Sequence, residues 1–211
     1  MPLLPIRIYD DPILRETARP IEQVTDRLRA LARDMAETMY EARGIGLAAN
    51  QIGELERIIV VDVDWASRNG RRALPRNPLT LINPEILDDS VEDDVYSEGC
   101  LSIPGVEGDV WRPVRIRYRY TDLDGRTHED EAEGLRARCI QHEIDHLNGV
   151  LFIDRMTPEE RARLAGALAQ IRYDLVVDQA AGARIDLFSA TARTCYFRLN
   201  PYAARGGVPK G

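Results

Sequence analysis

The sequence predicts one α+β domain in which antiparallel strands wrap a central helix. Strand candidates at residues 114–121 and 127–133 flank Leu123-Asp124-Gly125, a pattern typical of an antiparallel hairpin, and residues 114–120 alternate apolar with polar side chains. Residues 135–148 then follow a helical pattern. With 211 residues the chain is long enough for one sizeable core and short for two.

The N-terminal elements are predicted from periodicity and from helix-ending signals. We expect a short strand at residues 6–9 and a helix over residues 21–43, whose apolar residues recur at helical spacing. Gly44 occupies the position where a helix-terminating glycine belongs. The β-branched run at residues 57–63 predicts a buried strand.

The middle of the chain is predicted to contain a loop followed by strands. Residues 64–78 carry Asn-Gly, two prolines and several arginines, which favour an exposed loop. Residues 79–82 and 95–103 are strand candidates that precede the hairpin.

Two helices and an irregular tail complete the prediction. The second helix spans residues 135–148 and stops at Gly149. The third begins at a capping box opened by Thr157, with Pro158 in the first helical position, and is expected to end near residue 173. We therefore divide the chain into a folded domain, residues 1–173, and an irregular, locally basic tail, residues 174–211.

Composition narrows the classes of function. A net charge of −7 argues against broad nucleic-acid affinity, and no sequence-specific nucleic-acid reading is expected. No stretch approaches the ~20 apolar residues of a membrane-spanning helix, and the N-terminus does not resemble a secretory signal. Three cysteines are too few, and odd in number, for a disulfide framework. The expected location is the cytoplasm.

The strongest chemical signal is the motif His142-Glu143-Ile144-Asp145-His146. Residues four apart lie on one helix face, so the two histidines can hold one metal ion. Glu143 stands beside the first ligand, where a carboxylate can act as general base on a water polarised by the metal. The alternative is that both histidines only satisfy hydrogen bonds within a core helix.

The residues leave the third protein ligand open. Neither a downstream histidine nor a downstream glutamate fits, because Phe152 stands where a third histidine would fall and the next glutamates begin a helix. Cys100, beside Gly99 at the end of a strand, would complete a Cys-His-His site. Cys139, one turn before His142, is the second candidate; either thiol could instead be a buried apolar residue.

A third segment, Gly44-Ile45-Gly46-Leu47-Ala48-Ala49-Asn50-Gln51-Ile52-Gly53, carries two glycines around Ile45. Glycines permit close approach by another chain, so the segment could be an exposed edge to which a substrate peptide adds as a strand. A helix cap followed by a turn is the structural alternative.

Taken together, GIGLAANQIG, EGCLSIPG and QHEIDHLNGVLF resemble the signature segments of peptide deformylases over residues 5–171. The resemblance implies an α+β fold with antiparallel sheets around a metal-binding helix. It implies Cys100, His142 and His146 as metal ligands and Glu143 as catalytic acid–base. It further implies one divalent ion, Fe²⁺, with Zn²⁺, Ni²⁺ or Co²⁺ possible.

The same resemblance implies a substrate and its contacts. The substrate is the formyl-methionine of nascent polypeptides, with the Gln51 side-chain amide and the Leu101 backbone N–H as oxyanion donors. We expect Arg138 to cover apolar surface with its charge in water, or to steer the downstream peptide, and Glu98 to pair with Arg112. The implied substrate-binding positions are Gly44, Ile45, Gly46, Tyr96, Glu98, Gly99, Leu135, Arg138, Cys139 and His142.

Two departures and two rival functions accompany this hypothesis. The loop at residues 64–78 is longer than compact members of the family need, and the tail matches nothing in the family. Some members dock on the ribosome through a basic C-terminal helix, so the tail could do likewise or be disordered. The rivals are a zincin-type endoprotease and a non-catalytic metal-binding module.

Overall fold

The computed structural model describes residues 3–65 and 74–180 and a two-residue strand, Arg198–Leu199, with side chains up to residue 171. The predicted α+β class is confirmed. The helices are α1 (Asp26–Glu41), α2 (Gly134–Leu147) and α3 (Pro158–Ala180). The strands are β1 (Gly46–Ala48), β2 (Ile58–Val61), β3 (Leu79–Asp89), β4 (Asp93–Cys100), β5 (Ile103–Pro113), β6 (Arg115–Thr121), β7 (Thr127–Glu133) and β8 (Arg198–Leu199).

The strands form two antiparallel sheets. The larger has the order β1-β2-β3-β6-β7 and the smaller the order β5-β4-β8. The predicted hairpin is β6–β7, in which Arg115 pairs with Glu133 and Thr121 with Thr127. Because β1 ends the larger sheet, its second edge is not covered by another strand of the described chain.

Helix α2 is the centre of the domain. Every residue from Ala137 to Leu147 is buried, so the helix is covered on all of its faces. Its apolar residues share one cluster with side chains of β1, β2, β3, β6 and β7. Because no side of this helix faces water, each of its polar side chains needs a hydrogen-bond partner within the protein. The prediction of sheets around a central helix is confirmed.

Helix α1 is shorter than predicted. It begins at Asp26, because the Thr25 hydroxyl accepts a hydrogen bond from the Leu28 N–H at 3.2 Å and caps the first turn. At the other end Arg43, with φ of 57°, takes the left-handed position that the sequence suggested for Gly44. Gly44 follows it, and its N–H donates to the Met39 carbonyl.

Two strand predictions needed correction. Residues 6–9 form no strand, because their N–H groups bond to two separate segments: Arg7 donates to the Gln51 carbonyl and Tyr9 to the Ser102 carbonyl. The single strand predicted at residues 95–103 is two strands, β4 and β5. They are separated by a turn at Leu101 and Ser102.

The C-terminal part of the chain continues as a helix beyond the predicted boundary. The Thr157 hydroxyl accepts from the Glu160 N–H at 3.2 Å, as the capping box predicted. Helix α3 then runs to Ala180, so residues 174–180 are helical rather than irregular. Most of the tail, and residues 66–73 of the predicted loop, lie outside the described residues, and the division into domain and tail stays a prediction. Among the helices described here, none is long and apolar enough to cross a bilayer.

Candidate metal centre

Three ligand-type side chains from separate parts of the sequence meet at the face of α2. One ligand atom from each of Cys100, His142 and His146 lies within 4.8 Å of the others, and all three residues are buried. Cys100 ends β4, while the two histidines lie one helical turn apart on α2. The Cys100 Sγ is 3.1 Å from the His146 Nε2. Cys100, and not the alternative Cys139, therefore completes the cluster.

The imidazoles are oriented so that metal-binding nitrogens point into the cluster. His142 Nδ1 lies 2.9 Å from a Glu98 carboxylate oxygen, which leaves Nε2 for a ligand. The Nδ1 atom of His146 is buried and has no hydrogen-bond partner among the described residues. A thiolate with two imidazoles is a donor set that suits Zn²⁺, Fe²⁺ and related divalent ions. The residues present therefore fit a single bound metal ion.

A buried network of charges supports Glu98. Arg112 donates to both Glu98 oxygens, at 2.7 and 3.0 Å, so the predicted ion pair is present. Arg138 donates to the same carboxylate at 2.6 Å. Burial alone would raise the pKa of Glu98, but Arg112 and the hydrogen bond with His142 outweigh it and hold that pKa well below its usual range. Glu98 is thus a charged carboxylate that contacts Nδ1 of His142, one of the three candidate metal ligands.

The carboxylate of Asp145 extends this network toward the surface. It accepts from Arg112 at 2.7 Å and from Arg155 at 2.6 Å. Sequence reasoning did not assign Asp145 a role, although its place between the two histidines of the motif was a usable signal. It also missed Asn50, whose side-chain amide donates to the His146 carbonyl and to the Glu16 carbonyl.

Glu143 lies beside the cluster with one oxygen uncommitted. The residue is buried, and its Oε2 atom has no hydrogen-bond partner within the described structure. Burial raises its pKa to about 7. A carboxyl group with such a pKa can both accept and donate a proton near neutrality.

Gln51, in the short 3-10 helix Ala49–Ile52, and Leu101, in the turn after β4, lie beside the cluster. The Gln51 side-chain nitrogen lies 3.4 Å from the Cys100 Sγ and 3.2 Å from the Ser102 hydroxyl. Its oxygen accepts from the Ala48 N–H at 2.8 Å, which fixes the direction of the amide. Leu101 is the first residue of the turn after Cys100. Both predicted oxyanion donors are therefore next to the Cys100 ligand in space or in sequence.

Within the glycine segment, Gly46–Ala48 forms a strand and Ala49–Ile52 a short 3-10 helix. The cap-and-turn alternative is therefore wrong for Gly46–Ala48. The expected exposure of this edge is also wrong, because all three strand residues are buried. A Cβ on Gly46 would lie 2.3 Å from a Glu143 oxygen and 2.8 Å from the Cys139 Sγ. A Cβ on Gly44 would lie 2.8 Å from the Leu101 side chain. The absence of side chains at Gly44 and Gly46 thus permits close approach by Leu101, Glu143 and Cys139 of the same chain. The sequence pattern had suggested approach by another chain instead.

The predicted apolar pocket positions gather around one side of α2. Ile45 and Cys139 are buried in the main cluster, and Tyr96 and Leu135 pack against it while partly exposed. Arg138 departs from expectation, because it is 3% exposed and its charge is not in water. Its guanidinium bonds to Glu98 and lies 4.6 Å from the centroid of the Tyr96 ring.

Known proteins share both the sequence pattern and the fold. A family model described as polypeptide deformylase matches residues 3–162. A peptide deformylase of Bradyrhizobium diazoefficiens is 52% identical over 164 residues, covering 78% of this chain and 93% of that protein.

Two solved structures extend the likeness to the fold. The peptide deformylase of Thermotoga maritima is 41% identical, with a TM-score of 0.68, covering 75% of this chain and all of that one. The peptide deformylase of Plasmodium falciparum is 36% identical, with a TM-score of 0.74, covering 85% of this chain and 99% of that one. The chain therefore belongs to the polypeptide deformylase family.

Proposed function

We propose that this chain hydrolyses the formyl group of formyl-methionine at the N-terminus of nascent polypeptides with Cys100, His142 and His146 as metal ligands and Glu143 as acid–base. Removal of the N-formyl group follows from membership of the family. The observation that supports these residue roles is the convergence of the three ligand atoms within 4.8 Å beside a buried carboxylate.

The metal ion is proposed to be Fe²⁺, with Zn²⁺, Ni²⁺ or Co²⁺ able to occupy the same donors. When bound, a divalent ion acts as a Lewis acid and lowers the pKa of a coordinated water from about 15.7 toward 7. Glu98 positions His142 through its contact with Nδ1, and Arg112 and Arg138 keep Glu98 charged. Such supporting contacts set the orientation of a ligand and raise its basicity.

Glu143 is proposed to carry the proton. It accepts a proton from the water that attacks the formyl carbon, and it returns this proton to the nitrogen as the carbon–nitrogen bond breaks. The formic acid that is released loses its own proton and the amine gains one, so the products are formate and a protonated N-terminal amine, and atoms and charge balance. The unpartnered Oε2 atom and the pKa of about 7 support this role.

The Gln51 side-chain N–H and the Leu101 backbone N–H are proposed to stabilise the developing negative charge on the formyl oxygen. Fixed donors at such an oxygen lower the barrier, and removal of one typically costs about 100- to 1000-fold in rate. The bond from the Ala48 N–H to the Gln51 oxygen supports this assignment, because it turns the amide nitrogen toward Cys100.

The substrate is proposed to bind between β1 and the end of β4. Ile45, Tyr96, Leu135 and Cys139 would surround the methionine side chain, since they form an apolar group beside Glu143. The backbone glycines Gly44, Gly46 and Gly99 would contact the peptide. Arg138 would contribute only the part of its side chain next to Tyr96.

The cytoplasm is the proposed location, because nascent chains are the substrate and neither Cys100 nor Cys139 is in a disulfide. Ribosome docking through residues 174–211 is proposed from the basic residues of this segment. From Arg184 onward it holds four arginines and one lysine against one aspartate. Salt-sensitive co-sedimentation with ribosomes, lost on truncation after Ala180, would support it; unchanged co-sedimentation would exclude it.

The central test combines metal analysis with formate release from formyl-Met-Ala-Ser. We expect Cys100→Ser to lose the metal and Cys139→Ser to keep it, since only Cys100 lies in the cluster. Glu143→Gln should keep the metal and lose about 100- to 10,000-fold in kcat.

A Cys100→Ser variant with full metal and full formate release would refute the proposal. Cleavage of acetylated or internal peptides would favour the endoprotease, and full activity of Glu143→Gln the non-catalytic module.

A further inference from the structure

Trp65 connects the loop after β2 to the backbone that leads into β1. Its indole Nε1–H donates to the Gly44 carbonyl at 2.8 Å. Its ring meets the ring of Tyr40 edge to face, with centroids 5.2 Å apart. The Arg76 guanidinium lies 4.5 Å from the Tyr40 ring centroid and 5.7 Å from that of Trp65. Trp65 is therefore held from several sides while its N–H points at Gly44.

Both ends of the same loop are fastened to Asp62. The Asp62 carboxylate accepts from the Asp64 N–H at 3.2 Å at the start of the loop and from the Asn77 N–H at 2.8 Å near its end. It also accepts from the Tyr40 hydroxyl of α1 at 2.7 Å. The Asp62 N–H in turn donates to the Ile45 carbonyl at 2.8 Å. The described ends of this loop, residues 64–65 and 74–78, are thus held next to the Gly44–Ile45 backbone by Trp65 and Asp62.

The bond from Trp65 to Gly44 fixes the backbone at the start of β1, whose outer edge is not paired with another described strand. In an antiparallel strand, the polar groups of successive residues point alternately toward and away from the partner strand. The Ala48 N–H bonds to the Gln51 side chain, so Ala48 faces away from β2, and Gly46, two residues earlier, faces the same way. Gly46 is therefore flanked along this edge by a bond to Gln51 on one side and a bond to Trp65 on the other.

We propose that Trp65 is a positioning residue for the peptide chain that follows the formyl-methionine. By holding the Gly44 carbonyl, its N–H sets the direction of the backbone on which an extended substrate pairs with the edge of β1. This inference rests on the proposed function, because it takes the bound ligand to be a formylated peptide. The part of the substrate that Trp65 positions is the chain after the methionine, and not the reacting groups near Glu143.

The expected effect follows from the loss of one hydrogen bond. A single neutral hydrogen bond in a folded protein corresponds to roughly a 2- to 12-fold change in an equilibrium constant. Trp65→Phe removes the N–H and retains a ring that can still contact Tyr40. We expect KM for formyl-Met-Ala-Ser to rise about 3- to 10-fold, with kcat changed less than about 2-fold. N-formyl-methioninamide has no downstream chain, so its kcat/KM should stay at the parent value.

Trp111→Phe is the matched control. Trp111 lies on β5 and is 42% exposed, so its replacement should leave the kinetics of both substrates unchanged. Equal losses of Trp65→Phe on both substrates, or a loss in kcat alone, would overturn the inference. Activity of the parent on N-formyl-methioninamide tests the proposed function separately, so the two failures are distinguishable.

A second measurement does not depend on the stability of Trp65→Phe. The chain has two tryptophans, so Trp111→Phe leaves Trp65 as the single indole. Titration with the product peptide Met-Ala-Ser should shift its fluorescence in a saturable way, whereas methionine alone should not. No shift with the peptide, or the same shift with methionine, would contradict a role along the downstream chain.

Discussion

Replacing Glu98 with glutamine removes the anion on which the buried charge network depends. Glu98 is fully buried and accepts hydrogen bonds from Arg112 at 2.7 and 3.0 Å and from Arg138 at 2.6 Å. It also orients His142 at 2.9 Å. Glutamine keeps the shape of the side chain but not its charge, so the substitution isolates the electrostatic contribution.

The magnitude can be worked from the contacts that remain. Removing one partner of a buried ion pair typically costs about 3–5 kcal/mol, because the other charge is left buried without compensation. Arg112 would still pair with Asp145 at 2.7 Å. Arg138 would retain the Val110 and Asp94 carbonyls as hydrogen-bond acceptors. We therefore expect the lower end of this range, about 3 kcal/mol of unfolding free energy.

The same substitution should weaken metal binding. An outer partner of a ligating histidine typically contributes about 10- to 100-fold in metal affinity. Urea unfolding of the metal-free protein would measure the stability change, and competition with a chelator would measure the affinity. Glu129→Gln is the control, because Glu129 pairs with Arg119 at the surface, where water screens the charges and such pairs add little stability.

Two outcomes would refute this reasoning. If Glu98→Gln loses no more unfolding free energy than Glu129→Gln, the buried network does not stabilise the fold as its geometry indicates. If the variant is destabilised but binds the metal as tightly as the parent, Glu98 does not position His142. Loss of both properties is the expected result.

Three further changes test other parts of the site and fold. Gly46→Ala places a methyl group 2.3 Å from a Glu143 oxygen, so we expect about 1–3 kcal/mol of destabilisation in urea together with slower formate release. Gln51→Ala should reduce kcat about 100- to 1000-fold with unchanged metal content; parallel loss of the metal would assign it a structural role. Asp154 is partly buried, which raises its pKa, but bonds from Arg15 and the Leu151 N–H outweigh this and lower the pKa overall. The stability that Asp154 provides over Asp154→Asn should therefore be present at neutral pH and shrink as pH falls below about 4; a gap independent of pH would contradict it.

The sequence was most informative where local pattern and burial agree. The β6–β7 hairpin and helix α2 were predicted well, because alternation and helical periodicity are direct consequences of which face is buried. The start of α1 was misplaced, because apolar spacing continues before Thr25, whereas the first turn is set by the hydroxyl that caps it. Helix α3 carried no stop signal to mark Ala180, and its end at 173 was predicted too early.

The candidate site shows a similar division. The spacing of His142 and His146 predicted the helix face that carries the metal ligands, since residues four apart lie on the same face of a helix. Cys100 was placed ahead of Cys139 from its position at a strand end, but both stayed open until the resemblance was considered, because the contact of β4 with the α2 face is a long-range contact that spacing does not encode. Arg138 shows the limit of single-residue reasoning: an arginine is usually solvated, and only the buried Glu98 carboxylate explains why it is not.

The cluster draws its donors from two parts of the molecule, since Cys100 belongs to the smaller sheet and both histidines belong to α2. An ion shared between them is therefore a cross-link that joins the smaller sheet to the central helix. Because such an ion binds the native state, its release by a chelator should lower the melting temperature and open the β4–β5 turn to proteases. Catalytic lifetime and resistance to unfolding would then both depend on whether the metal ion is bound. A cell short of metal would lose the enzyme by degradation as well as by inactivity.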